Sequence, residues 1–256
     1  MRNLIIATLL LFGFAVAQET ITVGATPVPH AEILEFVAPA LAEQGYILEI
    51  VEFTDYVQPN LALDAGDLDA NFFQHVPYLE SFAGDHGLDL VAIGGVHVEP
   101  IGLYSNTHST VRSIQNGATI AIPNDPTNAG RALLLLESAG LIALIDGAGL
   151  EATPIDVKEN PLGLFFVELE AAQLPRALPD VDAAVINTNY AIEAGFNPLD
   201  DALVIETSDS PYTNVVAVRA GTEDNPAIVA LLAALQSEAV NDFILETYGG
   251  AVIPAF

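Results

Sequence analysis

The chain has 256 residues, of which 52% are hydrophobic, and its 6 basic and 34 acidic side chains give a formal net charge of −28. This length and hydrophobicity predict a folded protein with a substantial core, and the scarcity of Lys and Arg excludes a basic surface for DNA, RNA or anionic lipid. The sequence contains no cysteine, which excludes disulfides, thiolate nucleophiles and cysteine metal sites.

The N-terminus has the layout of a secretory signal peptide. Arg2 precedes an apolar run over residues 4–14, and residues 15–17 (AVA) provide small side chains for cleavage. The apolar run is short for a membrane span. We therefore expect residues 1–17 to be removed, leaving Gln18 first and five of the six basic residues in a protein that works outside the cytoplasm.

Strand and helix patterns alternate along the first part of the chain. The predicted strands cover residues 20–26, 46–53, 68–73 and 88–94, with a further extended stretch at 96–105. The predicted helices cover residues 31–44, a short segment ending at Gly66, and 76–83. This β-α alternation is typical of a mostly parallel sheet between helices.

A second α/β unit follows. Its predicted strands cover residues 119–123, 155–157, 165–168, 182–187 and 203–206, and its helices cover 129–139, 173–178 and 190–194. The late strand at 213–219 has no unit of its own, so we expect it to return to the first sheet, before closing helices at 226–238 and 241–248. The prediction is a two-lobed α/β fold with two mixed sheets flanked by helices and two hinge crossovers, as in hinge-closing binding proteins. Lobe 1 is predicted at 18–107 and 211–256, and lobe 2 at 108–210.

Residues 69–78 (DANFFQHVPY) gather polar and aromatic side chains where a strand meets a helix. Ligands of open α/β sheets bind at such strand ends, so Phe73, His75 and Tyr78 are candidate binding residues. Phe72 is expected in the core, because adjacent strand residues point to opposite faces. Core aromatics and a surface histidine in a turn are the structural alternative.

Residues 121–131 (AIPNDPTNAGR) form another strand-to-helix junction, with the helix predicted to begin near Asn128. The N–H groups at a helix start suit an anion, and the guanidinium of Arg131 can bind a carboxylate with two hydrogen bonds. The alternative is an ion pair between Arg131 and an acidic residue of the protein.

Two asparagines are further candidate binding residues, each with a structural alternative. Asn187 ends a strand and either orients a ligand or caps the next helix. Asn214 lies in SPYTN (210–214), near the second crossover, where a turn is the structural alternative.

Motifs of known enzyme classes are absent from the sequence, including GxSxG, the Walker phosphate loop, GxGxxG after a strand and HExxH. We expect a binding protein without a cofactor rather than an enzyme. Two alternatives of other classes remain. One is a metal-capture protein that uses His30 and His75 with acidic side chains, and the other is an enzyme on the same scaffold, for which the sequence offers no nucleophile.

Several segments together resemble the NlpA-type lipoprotein family, the methionine-binding components of bacterial ABC importers. The matching segments, in order, are VGAT (23–26), PHAEI (29–33), FTDYVQPN (53–60), GDLDANFFQHVPYL (66–79), PNDPTNAGRALLLL (123–136), ELEAAQLPR (168–176), VINTNYA (185–191), SPYTN (210–214) and GGAV (249–252). The resemblance covers nearly the whole chain after the signal peptide. It implies a two-lobed binding fold, methionine as ligand and an ABC permease as partner.

Carried over by position, the family's pocket implies Phe53, Tyr56, Phe73, His75, Tyr78, Asn128, Arg131, Asn187 and Asn214. Arg131 and the helix start would hold the α-carboxylate, the asparagines would orient the head group, and the aromatic rings would contact the thioether. L-methionine is the first expected ligand. D-methionine, a methionine-containing dipeptide and another apolar amino acid are the alternatives.

The chain departs from the family at its predicted cleavage site, FAVAQ (14–18), where family members usually carry a lipid-modified cysteine. We therefore expect a periplasmic or otherwise extracytoplasmic monomer released by ordinary signal cleavage, with an export route that differs from the family's as the alternative. The acidity has two open explanations, adaptation to salt or another harsh setting and a compositional bias of the lineage.

Overall fold

The computed structural model describes residues 18–207 and 210–256, so the predicted signal peptide lies outside the described residues. The strands in this part of the chain are β1 (Glu19–Ala25), β2 (Tyr46–Glu52), β3 (Ala70–His75), β4 (Leu90–Val98), β5 (Gly102–Tyr104), β6 (Thr119–Pro123), β7 (Ala143–Leu144), β8 (Val157–Glu159), β9 (Phe165–Leu169), β10 (Ala183–Ile186), β11 (Val204–Ile205), β12 (Thr213–Arg219) and β13 (Ile253–Pro254). The helices are α1 (Glu32–Glu43), α2 (Gln58–Ala65), α3 (Val76–His86), α4 (Pro126–Ser138), α5 (Leu174–Ala177), α6 (Thr188–Glu193), α7 (Pro198–Asp201), α8 (Pro226–Leu235) and α9 (Glu238–Tyr248).

Two mixed sheets organise the molecule, which confirms the predicted fold class. The large sheet has the order β13-β4-β12-β3-β1-β2, and the small sheet has the order β11-β5-β10-β6-β9. β1 pairs in parallel with β2 and β3, whereas β12 runs antiparallel to both β3 and β4. β12 therefore returns to the first sheet, as its late position in the sequence predicted.

The chain crosses between the sheets twice. The first crossover lies between Val98 and Gly102, because β4 ends in the large sheet and β5 begins in the small one. The lobe boundary predicted at residue 107 therefore lies after β5, later than the observed crossover. The sequence did not reveal this because the pairing of β5 with β10 has no local sequence signature. The second crossover follows β11, and the two connect directly where the Glu206 N–H donates to the Ile101 carbonyl at 2.9 Å.

β3 carries the aromatic junction into the middle of the large sheet, and all six of its residues are buried. The strand begins at Ala70, two residues later than predicted. The residue before it, Asp69, contacts the sheet through its side chain, since its carboxylate accepts the Thr22 N–H at 2.8 Å. Phe72 belongs to the core under α1 and α8, as predicted. Phe73 faces the other way and contacts Tyr78 and Phe82.

Each sheet has its own apolar core, one built mainly from β1, α1 and α8 and one mainly from β6 and α4. Across residues 18–207 and 210–256, no single helix combines the length and apolar character that a membrane span requires. In this part of the chain, the pair α8 and α9 is long and apolar enough only when the two helices are counted together, and a bend of 48° separates them.

Candidate functional site

A cavity with about 340 Å³ of empty space, part of it open to solvent, lies between the two sheets. Its lining residues are His30, Tyr56, Phe73, Gln74, His75, Tyr78, Glu99, Asn128, Arg131, Asn187, Thr188, Asn189 and Asn214. Eight of the nine sequence-predicted residues are therefore brought together, although they are up to 158 positions apart in the sequence (Tyr56 to Asn214).

Phe53, the ninth predicted residue, is not among the described residues that line the cavity. Its N–H extends the pairing of the edge strand by donating to the Ala25 carbonyl at 2.8 Å. The ring then packs with Leu63 and Leu68 and lies over Gly24, where an added Cβ would come within 3.0 Å of Phe53 Cε2. The edge position of the strand directs this ring onto the sheet surface.

Arg131 is buried in the first half of α4 and is held from several sides. Its Nε donates to both carboxylate oxygens of Glu206 at 3.2 Å, and its Nη2 donates to Glu206 and to the backbone oxygen of Glu99, the latter at 2.7 Å. The Tyr212 ring covers the guanidinium at 4.2 Å. Within the described residues Nη1 makes no hydrogen bond to the protein.

The sequence predicted that α4 begins near Asn128 and offers open N–H groups to an anion. This expectation is wrong, since the helix begins at Pro126 with Asp125 as its N-cap. One carboxylate oxygen of Asp125 accepts the Asn128 N–H at 2.9 Å, and both oxygens accept the Asn128 side-chain amide at 3.0 Å. Burial raises the pKa of Asp125. The protein's own acid therefore occupies the helix start.

His75 has one defined tautomer. Its Nδ1 accepts the Tyr78 N–H at 3.1 Å as the N-cap of α3, so the proton sits on Nε2, which donates to Asn128 Oδ1 at 3.2 Å. Burial, with the nearby charge of Arg131, lowers the pKa of His75 to about 3. A neutral imidazole on β3 thus joins the large sheet to α4.

Asn187 lies at the N-cap position of α6 but makes no side-chain cap hydrogen bond. Its Nδ2 donates to Asn128 Oδ1 at 2.9 Å, and its buried Oδ1 has no partner among the described residues. Nδ2 of Asn189 is buried and unpartnered in the same way. Buried polar atoms are normally hydrogen-bonded, so this acceptor and this donor on the cavity wall indicate a polar ligand.

Glu99 brings a buried carboxylate to the first crossover. Its Oε1 lies 2.7 Å from His97 Nε2 and 3.2 Å from His30 Nε2. His30 Nε2 also lies 3.1 Å from Asn214 Oδ1, and His30 Nδ1 lies within hydrogen-bond distance of the Thr26 hydroxyl, at 2.8 Å. Burial lowers the pKa of His30 to about 4 and of His97 to about 3, and raises the pKa of Glu99.

His30, His97 and Glu99 form the group that could hold a metal ion in the described residues, since their ligand atoms lie within 4.8 Å of one another. The metal alternative had instead paired His30 with His75. The contact of 2.7 Å between His97 and Glu99 is a hydrogen-bond distance. In this arrangement His97 and Glu99 are in direct contact with each other.

Three aromatic side chains form the apolar part of the wall. The Tyr56 ring centroid lies 5.9 Å from that of Phe73 and 5.8 Å from that of Tyr78. Both phenols are engaged by the protein, with Tyr56 donating to Asn189 Oδ1 at 2.7 Å and Tyr78 donating to the Tyr56 carbonyl at 2.8 Å. The rings therefore present apolar faces rather than open hydroxyl groups.

Sequence reasoning did not assign five lining residues to the methionine pocket, and of these it named only His30, for the metal alternative; the five are His30, Gln74, Glu99, Thr188 and Asn189. Four of them lie inside segments that carried the family resemblance, so position in a motif was a usable signal. Glu99 lies outside those segments and is one of 34 acidic residues, so no local pattern distinguished it.

The chain is similar to known proteins over most of its length. The family model described as NlpA lipoprotein matches residues 21–256. Membrane lipoprotein TpN32 of Treponema pallidum (strain Nichols) is 46% identical over 94% of this chain and 90% of its own length. D-methionine-binding lipoprotein MetQ of Escherichia coli (strain K12) is 44% identical over 87% of this chain and 82% of its own.

Among solved structures, a nutrient binding protein from Burkholderia cenocepacia bound to methionine superimposes with a TM-score of 0.90. It is 47% identical, and the match covers 92% of this chain and 100% of that one. The resemblance seen in the sequence motifs is thereby confirmed, and the chain belongs to the NlpA lipoprotein family.

Proposed function

We propose that this protein is an extracytoplasmic solute-binding protein that captures methionine, in first place L-methionine, for an ABC importer. The observation that carries this proposal is the cavity itself. It combines a buried, pre-positioned guanidinium on Arg131, unpartnered amide atoms on Asn187 and Asn189, and an aromatic wall. An amino acid with a long apolar side chain complements all three features.

Each lining group has a role in this proposal. Arg131 Nη1 binds the α-carboxylate, and Asn187 and Asn214 orient the head group. His75 keeps Asn128 in place by donating to its Oδ1. Tyr56, Phe73 and Tyr78 contact the thioether, whose sulfur packs well against aromatic rings. Phe53 does not contact the ligand in this proposal, and its ring packs against the apolar cluster of the first sheet.

The predicted lobes and partner belong to the same proposal. The lobe built on the large sheet closes on the lobe built on the small sheet about the two crossovers, with the first crossover at residues 98–102 rather than at the predicted residue 107, and the closed monomer docks on an ABC permease. Binding involves no chemical step. A signal peptide over residues 1–17 and a sequence without cysteine favour export without a cysteine-linked lipid anchor.

D-methionine is the second candidate, because the Escherichia coli relative is named a D-methionine-binding lipoprotein. Isothermal titration with L-methionine, D-methionine, a methionine-containing dipeptide and leucine decides among the ligands. We expect saturable one-to-one binding that is tightest for L-methionine. Mass spectrometry of the small molecule released when the purified protein is denatured gives an independent identification.

Failure of every ligand in that series to bind would refute the proposal. Binding of a divalent metal to the purified protein, with a melting temperature that falls on adding a chelator, would favour the metal-capture alternative.

A further inference from the structure

Three consecutive residues of β3, namely Phe73, Gln74 and His75, all line the cavity. Successive side chains of a regular strand point to opposite faces of the sheet, so a regular β3 would turn Gln74 away from its two neighbours. The register with β12 departs from the regular pattern, because Gln74 pairs with Val215 and the next pair involves Phe72. Phe73 is skipped and is therefore the extra residue of a β-bulge, a feature that redirects side chains.

Three buried amide side chains lie beside this bulge. Asn60 belongs to α2 and is fully buried, as is Asn71 of β3, and Gln74 is 3% exposed. Asn60 Oδ1 accepts from Asn71 Nδ2 at 2.8 Å and from Gln74 Nε2 at 2.7 Å, and Asn60 Nδ2 donates to Gln74 Oε1 at 2.8 Å. Gln74 Nε2 also donates to Asn71 Oδ1 at 2.9 Å. Every polar atom of these side chains has a partner, and a fully satisfied buried network is rigid.

The amide network requires the bulge. Asn71 and Gln74 are three positions apart, so a regular strand would place their side chains on opposite faces. Their shared hydrogen bonds to Asn60 need both amides on the face that α2 covers, and the extra residue Phe73 brings them there. The hydrogen bonds of Asn60 therefore favour the bulged strand over a regular one.

Asn60 also connects two parts of the aromatic wall. It follows Tyr56 by four positions in the chain, and the Tyr56 ring centroid lies 5.9 Å from that of Phe73. Asn71 Nδ2 donates to the Pro59 carbonyl as well, at 3.3 Å, so α2 is bound to β3 through both side chain and backbone. The network thus holds the segment that carries Tyr56 against the strand that carries Phe73, although Asn60 itself is not among the described residues that line the cavity.

We propose that Asn60 is a positioning residue for ligand binding, which acts through the bulge to place the Phe73 ring on the cavity wall. The inference rests on the proposed function and goes beyond it, because it assigns a role in binding to a residue outside the cavity. A buried polar network thereby sets the shape of the surface that receives the ligand's apolar side chain. Losing Asn60 weakens binding by displacing Phe73.

A double-mutant cycle on affinity tests this role. L-methionine is titrated calorimetrically into the parent protein, Asn60→Ala, Phe73→Ala and the double variant, at a temperature where thermal melting shows each to be folded. Asn60→Ala leaves room for water to satisfy the other two amides of the network. Asn160→Ala is the matched control, since Asn160 is a partly buried asparagine whose side chain bonds the backbone N–H and carbonyl of Leu164 and does not line the cavity.

We expect Asn60→Ala and Phe73→Ala each to lose about 10-fold in affinity, and the double variant to lose little more than Phe73→Ala alone, because coupled residues are not additive. Independent losses that multiply to about 100-fold would overturn the proposal. Asn160→Ala should melt at a lower temperature and bind L-methionine like the parent. An equal loss of affinity in Asn160→Ala would show that loosening any such asparagine weakens binding, and would also refute the role of Asn60.

Asn71→Ala breaks the same network from within β3 and keeps the test decisive if Asn60→Ala does not fold. Asn71 is not among the described lining residues either, so its loss of affinity should likewise disappear in the Phe73→Ala background. If the parent binds L-methionine and the network variants that fold bind it as tightly, the positioning role is refuted and the proposed function stands. If the parent does not bind L-methionine, the proposed function itself fails.

Discussion

Replacing Arg131 by methionine tests the core of the site, because this change removes the charge and keeps a side chain of comparable length. Arg131 is 3% exposed and makes three hydrogen bonds to Glu206 and one to the Glu99 carbonyl. Its loss removes the charged partner of the ligand's carboxylate. We expect L-methionine affinity to fall by about 2–5 kcal/mol, the range for truncating one partner of a buried, hydrogen-bonded charge pair.

The same substitution should also destabilise the protein without ligand. Breaking a fully buried ion pair costs about 3–5 kcal/mol, but the Glu206 side chain is 18% exposed, so water compensates part of its lost partner. We estimate about 2–3 kcal/mol, which corresponds to a fall in melting temperature of roughly 4–12 °C for a chain of this size. Adding Glu206→Gln to Arg131→Met should recover part of this stability, because the unpaired carboxylate is then removed, and should leave binding weak.

Titration calorimetry and thermal melting measure the two effects separately. Arg219→Met is the control, since Arg219 is a partly buried arginine that donates to the backbone oxygens of Leu63 and Leu68, away from the cavity. It should lower the melting temperature and leave the affinity of the folded protein unchanged. If Arg131→Met binds L-methionine as tightly as the parent, the assignment of the carboxylate to Arg131 is wrong.

Three further results are expected. Gly130→Ala should destabilise by about 1–3 kcal/mol in urea unfolding, because its Cβ would lie 2.1 Å from the Leu150 carbonyl oxygen. Gly84→Ala, in an open part of helix α3, should instead be neutral or stabilising by up to about 1 kcal/mol, and equal effects would contradict this packing argument. Nitrogen NMR should show His75 neutral and protonated on Nε2 at pH 5, and a charged ring there would contradict the hydrogen-bond assignment. Burial lowers the pKa of His97 to about 3 in the folded protein, whereas its unfolded value is about 6.5. Between these two pH values the unfolded chain binds a proton that the folded protein does not. The contribution of His97 to the free energy of unfolding is therefore complete above pH 6.5 and is lost as the pH falls. His97→Gln should therefore have a free energy of unfolding that falls less steeply from pH 6.5 to pH 4 than that of the parent, and identical slopes would refute this.

The alternation of strands and helices was readable from the sequence because it depends on local periodicity and on residues that end helices. Gly66 illustrates this, since it follows the short helix that was predicted to end there and adopts the left-handed conformation that terminates a helix, with φ of 85°. Exact boundaries were less predictable. Helix α4 begins earlier than expected because Asp125, rather than Asn128, supplies the cap, and both residue types are good caps.

Sequence alone determined the class of fold, the return of the late strand to the first sheet, and the segments that carry the candidate site. These follow from patterns along the chain and from motifs that match a family. Eight of the nine expected residues meet around one cavity, because strand ends of both sheets are directed at the same gap.

Only the tertiary structure decided which charges face each other. The partner of Arg131 is Glu206, 75 positions away, and the partners of Glu99 are two uncharged imidazoles. The structure also turned Phe53 onto the sheet surface and left Asn187 Oδ1 without a protein partner in the described residues. Burial and long-range pairing set these relations, and a chain with 34 acidic side chains gives no local sign of which ones will be buried.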